Sequence, residues 1–564
     1  MRWTLKKIEN PSEVTHLQEA LQVHPLIATL LVQRGVKTFD QAKAFFRPSL
    51  QDLHDPYLMK DMKKAVDRIE KALATNERIL VFGDYDVDGT TAVSLMGSYL
   101  RSVGGEIDTY IPDRYAEGYG VSFKGIDYAE DNGFTLIIAL DCGIKSPDKI
   151  DYAKEKGIDF VICDHHMPGD EIPDAVAVLD AKQKDCTYPY DELCGCGVGF
   201  KVIQALNANR GYGIERLIPY LDLVATAIAA DIVPITGENR ILAYYGLQVI
   251  NSDPRPGLLA LKKMHNISEF TITDVVFKFA PKINAAGRIK HGNYAVKLLT
   301  EFDLDEAILF SKEIDEFNTS RKELDQSITQ EALAQIETLN EKESASTVVY
   351  DPSWHKGVIG IVASRLIETY YRPTIVFTKS GDYIAASARS VKGFDVYEAL
   401  EACSEHLVQF GGHMYAAGMT CLPEKYQDFK NAFENYVKTH LPESLKEQEI
   451  EIDAVVNFND LDPKTIRILK QLEPHGPDNM SPVFLTKGVF DTGYAKTIGK
   501  SNEHLRLFVK QNFSEGFAAI AFGRGKDFYS IKNQRLMNLV YSIDENEFKG
   551  KRTLQFQVKD FNLL

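Results

Sequence analysis

The chain has 564 residues, 44% hydrophobic and 26% charged, which excludes a disordered or fibrous protein and points to roughly three or four globular domains. Its net charge of −16 argues against broad coating of duplex DNA, which needs a cationic surface, but leaves a locally basic nucleic-acid site open. No apolar run approaches the ~20 residues that cross a bilayer, Met1-Arg2-Trp3-Thr4-Leu5-Lys6-Lys7 has no signal-peptide core, and the seven scattered cysteines form no disulfide framework, so a cytoplasmic, non-membrane protein is expected.

Residues 1–75 carry helical apolar spacing, as in Met62-Lys63-Lys64-Ala65-Val66-Asp67-Arg68-Ile69, and read as a helical lead-in. From about residue 78 short β-rich runs alternate with helical stretches: 78–82, 107–111, 136–140, 160–163 and 175–179. Runs this apolar suit strands buried on both faces, so the expected fold class is α/β with a doubly wound parallel sheet over 76–302. Residues 303–342 read as a long connecting helix, 343–445 as a second α/β domain, and 446–564 as a small β-barrel.

Acidic residues and histidines cluster where the strands of the first domain end: Asp84-Tyr85-Asp86-Val87-Asp88-Gly89, Asp141-Cys142-Gly143, Asp164-His165-His166 and Asp180. In open parallel sheets, ligands bind beyond the carboxyl ends of the strands. One acidic strand end is an ordinary helix cap. Four within about 100 residues place mutually repelling carboxylates together, a cost that divalent cations remove. Carboxylates with imidazole suit Mn²⁺ or Mg²⁺, and two such cations suit an in-line phosphoryl displacement. Asp84, Asp86 and Asp88 alternate along the chain, and Asp141 is central enough to bridge. Neighbouring His165 and His166 point apart, so one can ligate while the other faces substrate. Cys142 and Cys163 lack a paired base and do not read as nucleophiles. Cys194-Gly195-Cys196 has the wrong spacing for zinc and reads as a reduced, glycine-rich turn.

These residues resemble the DHH phosphoesterase family, whose name matches Asp164-His165-His166. Within it, the likeness is greatest to bacterial exonucleases that degrade single-stranded DNA from the 5′ end. It spans nearly the whole chain: Gly83–Thr91, Pro112-Asp113-Arg114, Glu117-Gly118-Tyr119-Gly120, Ala230-Asp231-Ile232-Val233-Pro234, Asn284-Ala285-Ala286-Gly287-Arg288, Trp354-His355-Lys356-Gly357, Ser387-Ala388-Arg389 and Phe410-Gly411-Gly412-His413.

The resemblance implies that Asp86 and Asp141 hold one metal, and that Asp88, Asp141, His165 and Asp231 hold the other. Asp84 is implied as a ligand or a supporting residue, while Asp180 matches no metal-binding motif. His166, Asp141 and Arg288 are the implied catalytic residues. Arg114, Asn284, Arg288, Trp354, Ser387, Arg389, Gly412 and His413 are the implied substrate contacts, the last five within a DHH-associated domain that closes over the site. The barrel resembles an oligonucleotide-binding (OB) fold, with Phe508, Phe513, Phe517, Phe522, Tyr541 and Phe556 as either base-stacking or core aromatics. His475-Gly476-Pro477-Asp478-Asn479-Met480 departs from the relatives' Phe-Gly-x-Gly-Asn-Pro-like pattern, which leaves that loop's geometry open. Implied partners are single-stranded DNA, a RecQ-type helicase and a single-strand-binding protein, around a monomer. Two rival readings are a phosphoesterase of short oligonucleotides, cyclic dinucleotides or pyrophosphate, and a non-catalytic binding scaffold.

Overall fold

Five apolar strands form an all-parallel sheet: β1 (Ile79–Gly83), β2 (Ile107–Tyr110), β3 (Leu136–Leu140), β4 (Asp159–Cys163) and β5 (Ala177–Leu179). The computed structural model describes residues 1–265, 267–531, 535–548 and 551–564. The strand order is β2-β1-β3-β4-β5. Alternate residues serve two cores, with Ile79, Val81, Ile138 and Val161 facing one and Leu80, Phe82, Ile137 and Phe160 facing the other. Helices cover both faces, including α1 (Val87–Ser102), α2 (Gly195–Asn209) and α3 (Leu221–Asp231) on the first and Phe123–Asp131 and Pro147–Glu155 on the second. The doubly wound expectation is met. The strand order reverses direction between β1 and β3, and this switch point opens a crevice at their carboxyl ends.

Downstream, α4 (Ala280–Ile289) packs against α5 (Leu304–Thr338), a 35-residue helix about 50 Å long. Buried Ala307, Ser311, Ile314, Asn318, Arg321, Asp325, Ile328, Ala332 and Ile336 recur every three or four residues, so one seam faces protein along its length. Its first half supports the first domain and its second half supports α6 (Ile359–Thr369) of the next. That domain is a mixed sheet of β6 (Thr347–Tyr350), β7 (Thr374–Ser380), β8 (Tyr383–Arg389), β9 (Gln409–His413) and β10 (Ala416–Cys421), in the order β9-β10-β8-β7-β6.

The C-terminal strands Val483–Asp491, His504–Gln511, Phe517–Ala521, Met537–Phe548 and Lys551–Leu563 close a ring. The first pairs with both the second and the fourth, the third runs parallel to the fifth, and the rest are antiparallel. This is the five-stranded connectivity of an OB barrel. Tyr541 and Phe556 are fully buried and stack on each other with centroids 4.2 Å apart, and Phe517 stacks on Phe556 at 4.6 Å. These three are core. Phe508, Phe513 and Phe522 stay on the surface.

Residues 1–75 are not one lead-in. Leu17, Leu26, Ile27, Leu30 and Leu31 join the barrel core, and strand Arg2–Leu5 pairs with Glu449–Ile452. Met62, Ala65, Val66 and Ile69 instead join the first domain's core. An amphipathic helix carries a buried face, but nothing in its spacing says which core receives it.

Candidate metal centre

The sheet register puts Gly83, Leu140, Cys163 and Leu179 in one row across β1, β3, β4 and β5. The next residue on each strand is Asp84, Asp141, Asp164 and Asp180, and all four side chains are buried. Tight turns at this row depend on glycine. A Cβ at Gly89 would lie 2.4 Å from the Asp84 carbonyl oxygen, and one at Gly195 would lie 2.5 Å from Asp141 Cβ. Asp86 caps α1 by accepting from the Gly89 N–H at 3.1 Å.

Asp88 accepts from the amides of Gly195 (2.6 Å) and Cys196 (2.8 Å), the free N–H groups at the start of α2. The Cys194-Gly195-Cys196 segment therefore opens a helix that supports a carboxylate, a role the sequence did not reveal. Asp231 ends α3 and reaches the same place: Asp88, His165 and Asp231 each offer a ligand atom within 4.8 Å of the others, as do Asp141, His165 and His166. His165 Nε2 lies 3.1 Å from Asp141, 3.6 Å from Asp231 and 3.7 Å from Asp88.

Three carboxylates around one imidazole would ordinarily raise its pKa. Burial, followed by the charge of His166, instead pulls His165 down to about 3 and leaves it neutral. Burial and the neighbouring Asp86 push Asp88 up to about 7, and burial with the charges of Asp88 and Asp86 pushes Asp231 to about 9. Asp84 and Asp141 are also raised, first by burial and then by adjacent carboxylates. Both His165 ring nitrogens and Asp84 Oδ2 are buried without a hydrogen-bond partner. The one lone-pair nitrogen of the neutral His165 ring and the crowded carboxylates share an unmet need, for cations. The donor set fits hard divalent ions.

Asp164 and His166 form a different pair. Asp164 Oδ1 accepts from His166 Nδ1 at 2.7 Å and from the His165 N–H at 2.8 Å, and its Oδ2 accepts from the Ile144 N–H at 2.9 Å. Burial would raise the Asp164 pKa, but the His166 hydrogen bond and charge together with these amides bring it to about 2. Burial also opposes a charged His166, yet the Asp164 hydrogen bond and surrounding carboxylates raise its pKa. Its free edge, Nε2, lies 3.1 Å from the Tyr119 hydroxyl. Asp180 accepts from the Lys182 N–H at 2.7 Å, and its other oxygen has no partner.

Arginines gather across the crevice. Arg114 stacks over Tyr85 at 4.5 Å, and Arg288 on α4 donates to the Gly357 carbonyl of the second domain at 2.9 Å. Burial and the charges of Arg114 and Arg389 lower Arg288 to about 10. Arg389 donates to Ser387 Oγ at 3.0 Å. Among the described residues these three guanidiniums have no carboxylate partner within ion-pair distance, so an anion would relieve them. Arg389 and His413 each pair with Ala416 across adjacent strands, which puts them on one sheet face with a small residue between them. Gly412 has φ 148° and no room for a Cβ beside Ala416 and Ala417. Asn284 lies one turn before Arg288 on α4 and is half-buried.

Trp354 stands apart. It is 5% exposed, packs with Ile328, Ala332 and Val358, and donates from Nε1 to Glu331 of α5 at 2.9 Å. Its indole packs the connecting helix against the second domain. Tyr119 sat in a motif without an assigned role, and only the fold brings its hydroxyl to His166.

Family comparisons agree with this layout. The DHH family N-terminal domain matches residues 78–228, the DHHA1 domain 343–439 and the RecJ OB domain 452–560. The single-stranded-DNA-specific exonuclease RecJ of Bacillus subtilis (strain 168) is 36% identical over 99% of this chain and 70% of that protein. The protein of the same name from Escherichia coli (strain K12) is 32% identical over 95% of each chain. The crystal structure of RecJ in complex with Mn²⁺ from Thermus thermophilus superposes with a TM-score of 0.85 at 27% identity, over 100% of this chain and 79% of that one. Its Mg²⁺ complex gives 0.78 at 26% identity, over 99% and 78%. With all three domains matched in order and such relatives along its length, the chain belongs to the RecJ family.

Proposed function

We propose that this chain is a metal-dependent exonuclease that degrades single-stranded DNA from the 5′ end to 5′-mononucleotides. The observation that carries the reading is the convergence of Asp88, Asp141 and Asp231 on a neutral His165, facing Arg114, Arg288 and Arg389 across one crevice. Relatives named as single-stranded-DNA-specific exonucleases support the substrate; the 5′→3′ polarity and the product are what the motif resemblance implies.

Asp86 and Asp141 would hold one divalent cation; Asp88, Asp141, His165 and Asp231 would hold the other, with Asp84 in support. Mn²⁺ and Mg²⁺ are the fitting ions, as in the Thermus relative's two structures. Bound there, they acidify water and offset charge on phosphoryl oxygens. Water adds to phosphorus, the P–O3′ bond breaks, and a proton passes to the departing 3′ oxygen. The products are a 5′-mononucleotide and a strand shortened by one, again bearing a 5′-phosphate. His166 is oriented by Asp164, so its Nε2 edge faces the crevice with a proton to share. Arg288 neutralises charge that develops on the phosphoryl group. Arg114, Ser387, Arg389, Gly412 and His413 bind backbone phosphate, with Asn284 beside Arg288.

The second domain meets the first through the Arg288–Gly357 hydrogen bond, and a crevice narrowed there would admit a single strand and exclude a duplex. A duplex therefore needs prior opening, and a RecQ-type helicase and a single-strand-binding protein are the partners proposed, in cytoplasmic DNA repair and recombination, for a monomeric enzyme. No helix among the described residues is long and apolar enough to cross a membrane. All seven cysteines are unpaired.

Digestion of one long single strand, labelled at either end, tests this. With Mn²⁺ the 5′ label should leave at once as a mononucleotide while the 3′ label stays in long products. Release of the 3′ label first, full activity in EDTA, or cleavage of dinucleotides alone would refute it.

A further inference from the structure

Asp231 is held by an unusual piece of backbone. It is the last residue of α3, and Ile232 follows in the left-handed region at φ 60°, where a β-branched residue is strained. The Ile232 side chain is 64% exposed, so its own packing does not hold that conformation. The constraint comes from the residues that follow. The Pro234 carbonyl accepts from Asn239 at 3.0 Å and Tyr190 at 3.3 Å, within the first domain. The buried Ile235 donates its N–H to the Pro477 carbonyl at 2.8 Å, within the barrel. Gly476 lies so close that a Cβ there would meet Ile235 Cγ1 at 2.4 Å.

That barrel loop is itself clamped from both sides. Arg240, 4% exposed and on the first domain, donates to the carbonyls of Leu472 and Glu473 at 3.0 Å, and to that of Phe45 at 3.0 Å while stacking on its ring at 3.8 Å. Asn479, 1% exposed, donates to the Leu472 and Pro474 carbonyls at 2.8 Å and accepts from Arg34 at 2.8 Å. Arg34 also donates to the Met480 carbonyl at 2.7 Å. A buried guanidinium spent on carbonyls, with no carboxylate, fixes backbone and leaves no slack.

We propose that the C-terminal barrel is a structural part of the metal centre: Arg240 and Asn479 are positioning residues that, through the loop 471–480 and Ile235, hold Asp231 where the second cation needs it. The barrel would then have two jobs, gripping the strand and setting one metal ligand. The inference rests on Asp231 as a ligand, and the experiment separates the two.

Mn²⁺ binding to the full-length protein is titrated calorimetrically for wild type, Asp231→Ala, Asn479→Ala and Gly476→Ala. Asp231→Ala should lose one site. Asn479→Ala and Gly476→Ala should each weaken one Mn²⁺ site about tenfold and spare the other, as loss of outer support does at other metal sites. On short single strands kcat should fall with KM little changed. Gly476→Ala removes no hydrogen-bonding group and acts only by pressing on Ile235, so it decides the matter if Asn479→Ala does not fold. Wild-type Mn²⁺ affinity in both loop variants, with only a raised KM on long strands, would overturn the proposal. Wild-type binding in Asp231→Ala would instead overturn the ligand assignment beneath it.

Discussion

Gly195→Ala tests the centre at a residue that ligates nothing. Gly195 opens α2, where alanine is conformationally acceptable, and fewer unfolded states would by themselves stabilise the variant by roughly 0.4–1 kcal/mol. The collision decides the outcome. The new Cβ would lie 2.5 Å from Asp141 Cβ, 2.7 Å from its Cα and 2.9 Å from Oδ1, about 0.9 Å inside the 3.4 Å at which ordinary contact begins. Asp141 cannot retreat freely, because it sits at φ 59° and its N–H is bound to the Cys163 carbonyl at 2.9 Å. If α2 moves instead, the Gly195 and Cys196 amides carry Asp88 with them. Either way a ligand shifts by nearly an ångström, where a misplacement of that size costs on the order of 100-fold in rate. Overpacking should cost roughly 1–3 kcal/mol of stability. Turnover of a 5′-labelled strand and calorimetric Mn²⁺ titration read the two effects. Wild-type turnover and affinity in a folded Gly195→Ala protein would show that α2 does not press on Asp141 and would refute the reasoning.

Asp141→Asn should abolish turnover yet raise the melting temperature without metal. Burial and the charges of Asp88 and Asp86 raise the Asp141 pKa, so ionising it costs stability as pH climbs through that value. Added Mn²⁺ should stabilise wild type and not the variant; a variant that melts lower at neutral pH would contradict the repulsion. Glu77 offers the opposite sign. Its hydrogen bond from Thr135 and its pairing with Arg68 bring it to about 2, so its contribution is present above about pH 4.5 and lost as pH falls toward 2. Glu77→Gln should lose on the order of 2 kcal/mol at pH 7, with the gap from wild type closing in acid; a gap independent of pH would refute it. Trp354→Phe removes the indole bond to Glu331 and should cost about 1 kcal/mol in denaturant unfolding while KM stays unchanged. A raised KM at unchanged stability would assign Trp354 to the substrate instead.

Local pattern and tertiary structure divided the information unevenly. The β1, β3 and β4 strands were legible because strands buried on both faces read as unbroken apolar runs, and the acidic residue ending each run marked the crevice. Asp231 was legible only through resemblance, since one aspartate at the end of an alanine-rich helix looks like an ordinary terminus. Asp164 and His166 could not be told from ligands by position. Their mutual hydrogen bond, and the amides of Ile144 and His165 on Asp164, set them apart.

The sequence by itself determined the strands of the first sheet, β1, β3 and β4 of which read as unbroken apolar runs, and the carboxylates and imidazoles that follow them, but not the strand Arg2–Leu5 inside a segment read as helical. Tertiary structure decided which of those groups meet. It sent residues 17–31 to the barrel and 62–69 to the first domain, buried Trp354, turned Cys194-Gly195-Cys196 into the amide support of Asp88, and set the loop 475–480 against the backbone that carries Asp231. The physical reason is common to all four. Each depends on groups far apart in the chain approaching within a few ångströms, and local spacing encodes which face is buried, not which partner buries it.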